Sequence, residues 1–95
     1  MITVRQTAGG DPLSFNVIVA EDDGETRHDV TMSRADCARL CGGPGTAERC
    51  VEAIFRFLLD REPKEAILAR FDVSVIARYF PEFEAELPAY LGAQG

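Results

Sequence analysis

Residues 47–91, AERCVEAIFRFLLDREPKEAILARFDVSVIARYFPEFEAELPAYL, hold most of the large apolar side chains and are divided by Pro63, Asp72 and Pro81. From Ala47 to Asp60, the residues Cys50, Val51, Ile54, Phe55, Phe57, Leu58 and Leu59 recur at helical spacing. Glu48, Arg49, Glu52, Arg56 and Asp60 fill the other side, so the pattern predicts a helix with a wide apolar face. Thr46 stands where an N-cap belongs. Pro63 suits the first turn of a helix, which predicts a second one through Ala66, Ile67, Leu68 and Phe71. Asp72 is placed to cap a third, carrying Val75, Ile76, Tyr79 and Phe80. Pro81 opens a last short segment with Phe83 and Leu87, and Pro88 is expected to limit it.

Upstream, the period changes from helical to alternating. Leu13, Phe15, Val17 and Val19 alternate with smaller or polar residues, and His28, Val30 and Met32 do the same. The polar run Glu21–Glu25, centred on Gly24, lies between them, which predicts a β-hairpin. Ile2 and Val4 alternate too and would add a third antiparallel strand. Ser33 is an N-cap candidate for a short helix from Arg34 to about Cys41, with Gly42 just past its end. The expected fold is α+β: an N-terminal hairpin or three-stranded meander followed by four or five short helices. One domain is expected over residues 1–95, with the sheet in 1–33, the helices in 34–91 and a flexible tail in 92–95.

The run from Phe55 to Glu84, FRFLLDREPKEAILARFDVSVIARYFPEFE, resembles the C-terminal signature of a group of short, uncharacterised bacterial proteins. Phe57, Leu58, Leu59, Arg61, Glu62, Pro63, Ile67, Phe71, Asp72, Ile76, Tyr79, Phe80, Pro81 and Phe83 carry the likeness. It covers about the last half of the chain. The resemblance implies a bacterial, soluble protein and attaches no activity to it.

Composition narrows the function classes. The chain has 95 residues and a net charge of −6, and each half comes to −3. No basic footprint forms, so neither nucleic acid nor an anionic membrane surface is an expected partner. No signal-peptide or membrane-spanning run is visible, which places the protein in the cytoplasm and its three cysteines in the reduced state. Nine of the ten basic residues are Arg; Lys64 stands alone, which reads as compositional bias.

The candidate chemical groups are few. Cys37, Cys41 and Cys50, joined by His28, have the side chains of a tetrahedral metal site, but lack the Cys-x-x-Cys spacing of one. Buried free cysteines are the favoured reading, and of the disulfides, Cys41 to Cys50 across the glycine loop is the more feasible. His28 falls in phase with the buried strand positions, which fits a core histidine with one nitrogen on backbone rather than a catalytic base. GGPGT (42–46) lacks the lysine of a phosphate-binding loop. Glu21, Asp22, Asp23 and Glu25 read as a solvated hairpin tip, and Glu82, Glu84 and Glu86 as acids facing water. No cofactor is implied and no catalytic residue stands out. Tyr79, Phe83 and Tyr90 are the candidates for partner binding. The reading that results is a small acidic, non-enzymatic protein-interaction module, acting on another protein or on a second copy of itself. The alternative is a thiol-based redox or metal-responsive protein using Cys37, Cys41 and Cys50.

Overall fold

The computed structural model describes residues 1–93. Three antiparallel strands come first: β1 (Ile2–Ala8), β2 (Leu13–Glu21) and β3 (Gly24–Met32). Their register follows from burial. Leu13, Phe15, Val17 and Val19 are buried, and so are His28, Val30 and Met32, while the residues between them face outward. A slip of one residue would turn every one of these side chains to water. The hairpin turns through Asp22 and Asp23, with Glu21 paired to Gly24, whose φ of 127° is open to glycine at little cost.

Helix α1 (Arg34–Cys41) starts as its sequence predicts, with the Ser33 hydroxyl accepting from the Asp36 N–H at 3.0 Å. Gly42, at φ 82°, closes it in the left-handed conformation. Thr46 does not cap the next helix. Its hydroxyl donates instead to the carbonyls of Cys41 and Gly43, tying down the glycine loop. Helix α2 (Ala47–Leu59) lies at the centre of the packing, and eight of its thirteen residues are buried. It packs on β1 and on α4.

The chain after Pro63 departs from the expected helix. Lys64–Ala66 form a single 3₁₀ turn, and Arg70–Asp72 form a strand, β4, that pairs parallel to β3. The sheet order is therefore β1-β2-β3-β4. Two forces favour strand over helix here. The outer edge of β3 carries N–H and C=O groups that need partners; Asp29 N–H, for example, donates to the Ala69 carbonyl at 2.8 Å. Burial also alternates from Arg70 to Ser74, with Phe71 and Val73 inside. Asp72 caps as expected, accepting from Ser74 N–H at 3.0 Å, but it opens a 3₁₀ turn (Val73–Val75) that runs into the short helix α3 (Ile76–Tyr79). Helix α4 (Phe83–Ala93) continues past Pro88 instead of stopping there. Pro88 is exposed, so the Glu84 carbonyl left without its N–H partner lies on the solvent side. Residues 92 and 93, expected in a flexible tail, end α4; residues 94 and 95 lie outside the described residues.

Sheet and α2 thus enclose one core. Phe55 stands in its middle, fully buried, with the His28 ring at 5.3 Å and the Phe71 ring at 6.0 Å. At the other end, Phe57 meets Phe80, Phe83 and Tyr90 edge to face. Phe55→Ala is expected to destabilise the protein by about 3–5 kcal/mol in urea unfolding, because it removes a buried ring that the sheet and the 67–71 segment both contact.

Candidate functional site

The feature that the core leaves open is a groove of about 360 Å³ between the end of α2, the 66–71 segment and α3. Leu58, Ile67, Phe71 and Ile76 line it and are themselves almost wholly buried. Leu68 and Tyr79 line it too, yet are 52% and 69% exposed. Among the described residues only Met1 is a further large hydrophobic with comparable exposure. Glu62 contributes the groove's one carboxylate.

Both walls are held by hydrogen bonds reaching from β3. The His28 ring lies between Thr26 and Leu68, with Nε2 2.8 Å from the Thr26 hydroxyl and Nδ1 2.8 Å from the Leu68 carbonyl. A carbonyl only accepts, so Nδ1 carries a proton and donates. On the other side the Thr31 hydroxyl donates to Asp72 at 2.6 Å. Burial works to raise the Asp72 pKa and is outweighed by the hydrogen bonds from Thr31 and Ser74, which leave it below its ordinary value. His28 is therefore a core residue that fixes a groove wall through backbone, with both ring nitrogens engaged.

The sequence candidates separate in space. Tyr79 is in the groove. Phe83 is buried beneath α2 at 1% exposure and offers no surface. Tyr90 is half-buried, and its hydroxyl donates to Asp60 at 2.6 Å. The acids of α4 and its approach are engaged rather than simply solvated: Glu82 and Glu86 hold Arg61 at 2.9 and 2.7 Å, and Glu84 pairs with Arg39. Arg61 also lies over the Phe57 ring, 3.7 Å from its centroid.

Lys64, which composition alone passes over, is 2% exposed and holds Asp23, Glu65 and Glu21 at 2.6, 2.8 and 3.1 Å. The hairpin tip is thus clasped to the 3₁₀ turn after α2. The Asp23 hydrogen bond, then that of Glu65, pushes the Lys64 pKa up, and Lys64 in turn lowers those of Asp23 and Glu65. The three carboxylates themselves face solvent, whereas the Lys64 side chain is buried.

Two of the three cysteines are not the free thiols expected. Cys41 and Cys50 form a disulfide, with Cα atoms 5.5 Å apart, joining the end of α1 to the first turns of α2. Cys37 is free and buried, and burial raises its pKa, which disfavours the reactive thiolate. No group of three or more His, Cys, Asp or Glu side chains among the described residues is arranged to hold a metal ion. No helix among them is long and apolar enough to cross a membrane.

Strand β1 lies at one edge of the sheet. Met1 and Ala20 exchange both backbone hydrogen bonds, so the alternation of an antiparallel pair turns Ile2, Val4 and Gln6 toward the outer side of β1. The Glu48 carboxylate accepts from Gln6 N–H at 2.8 Å, which shortens the stretch of edge that remains open. No protein-family model matches the chain, and neither does any curated protein or solved structure.

Burial alone raises the Glu62 pKa above its ordinary value. A carboxyl raised on folding contributes stability that is present below the unfolded value, about 4.3, and lost as pH rises through the folded value. Glu62→Gln should therefore melt above the parent protein at pH 7 and together with it at pH 3, as read by thermal unfolding at the two pH values.

Proposed function

We propose that the protein is a non-enzymatic protein-interaction module whose docking surface is the groove bounded by Leu68 and Tyr79. One observation carries this reading: apart from Met1, the two large hydrophobics that stand exposed among the described residues line the same groove. Scattered exposed apolar residues need no explanation, but two converging on a concavity with an apolar floor mark a contact site. Tyr79 supplies the aromatic anchor such sites favour. The walls are already fixed by His28 and Asp72, so little ordering would accompany binding. The partner is another protein or a second copy of this chain. The bacterial and soluble origin implied by the 55–84 segment is part of the same proposal.

A Leu68→Asp, Tyr79→Ala double variant tests this. Both side chains are largely exposed, so stability should stay within about 0.5 kcal/mol of the parent. Self-association in analytical ultracentrifugation, or binding to a partner cross-linked through position 79, should weaken by about 2 kcal/mol, roughly thirtyfold. Unchanged association in the double variant would remove the groove from the function.

A second reading, a thiol-based redox protein, draws on the Cys41–Cys50 bond and on the partial exposure of Cys41. The bond joins residues nine apart, and opening so short a loop costs the folded state about 2.5 kcal/mol by chain entropy. Treatment with dithiothreitol should lower the urea midpoint accordingly while leaving groove association unchanged. Association that switches on or off with reduction would favour the redox reading.

A further inference from the structure

Resting on the groove as the docking surface, we propose that it takes an apolar stem ending in a cation, the chemistry of an Arg or Lys side chain presented by a partner. Glu62 is the counter-charge. The other glutamates from Glu52 onward are spoken for. Glu52 holds Arg56, Glu65 holds Lys64, Glu82 and Glu86 hold Arg61, and Glu84 holds Arg39. Glu62 has no ion pair or hydrogen bond to its carboxylate among the described residues, although cations stand within two positions on both sides. Arg61 is turned to α4 and to the Phe57 carbonyl, and Lys64 is turned to the hairpin tip. The chain thus carries the two neutralising groups nearest in sequence and points each of them elsewhere.

The surroundings of Glu62 set what would satisfy it. The groove contributes buried aliphatic and aromatic side chains and this single carboxylate. Water solvates Glu62 only in part, which is the cause of its raised pKa. An incoming guanidinium or ammonium would form a charge-assisted hydrogen bond in a partly dehydrated place, where such a bond is stronger than at an open surface. The methylenes behind that head would cover Leu68 and the Tyr79 ring and so remove apolar surface from water. An anionic head would meet Glu62 as a like charge and be rejected. A neutral apolar chain would fill the groove and leave the carboxylate desolvated without a partner, which costs binding.

Three probes of equal stem length separate these cases: hexylguanidinium, 1-hexanol and heptanoate, each titrated into the ¹⁵N-labelled full chain at pH 7. Hexylguanidinium should shift the amides of Glu62, Leu68 and Tyr79 and bind about tenfold tighter than hexanol, a difference of about 1.4 kcal/mol. Heptanoate should bind weakest. In Glu62→Gln the advantage of the guanidinium should vanish while hexanol still binds. Equal binding of hexylguanidinium and hexanol to the parent would overturn the role of Glu62 and leave the groove as a purely apolar site. Shifts confined to the acids of α4, or no shifts at all, would overturn the inference as well. The Leu68, Tyr79 double variant reads the docking surface independently of all three probes.

Discussion

Helix α2 is apolar around more of its circumference than one sheet can cover, and most of the structure answers to that fact. Its buried residues run from Ala47 through Leu58 and include Phe55, which meets His28 and Phe71, and Phe57, which meets Phe80, Phe83 and Tyr90. A helix with one apolar stripe would be satisfied by β1–β3. This one needs a second cover, and the chain after Pro63 supplies it in pieces: a strand on the open sheet edge, a short helix, and α4 across the far side. The pieces do not close completely, and the groove lies at the seam between them.

Polar interactions on this molecule divide by what they hold. Lys64 ties the hairpin tip to the turn after α2, Arg61 ties the chain just past α2 to α4, and Arg39 ties α1 to α4. Most of the paired groups are solvent-exposed, so each pair contributes little alone. Their joint effect is to fix where the segments between Asp60 and Glu86 lie relative to the core. His28 and Asp72 act differently. They bind from inside, to a backbone carbonyl and to a strand hydroxyl, and set the shape of the groove. Against that background Glu62, half-buried and without an ion pair among the described residues, is the exception.

Local pattern made much of the fold legible. Alternation fixed β2 and β3, and capping chemistry fixed α1 from Ser33 to Gly42. Periodicity placed α2 to within a residue. The segment from Lys64 to Asp72 was not legible as a strand, because Ala66, Ile67, Leu68 and Phe71 also fit a helical spacing and Pro63 reads as a helix start. What decides it is the unpaired edge of β3, roughly forty residues away, and no local pattern reports that. The same gap hid the site. In a helix, Ile67 and Leu68 both read as core. In extended chain, neighbours face opposite ways, so burial of Ile67 leaves Leu68 outside. Tyr79, Phe83 and Tyr90 looked equivalent as contact candidates because sequence does not distinguish a ring under α2 from one on the surface. Lys64 escaped notice because two of its three carboxylates, Glu21 and Asp23, lie 43 and 41 positions upstream in the hairpin tip.

Strand β4 is only three residues long, and the Thr31–Asp72 bond beside it joins positions 41 apart. The hairpin beneath it is closed by neighbours in sequence. Loop-closure entropy therefore sets an order: the hairpin can assemble early, whereas the 66–80 segment docks only after a long stretch of chain is already in place. In the reverse direction the same segment forms a small cooperative unit, held by three parallel register pairs and a few side-chain bonds, that can open while the antiparallel sheet stays intact. Amide exchange in Ala69–Val75 would then report on the occupancy of the surface it frames, since anything lodged there must leave before the segment lifts.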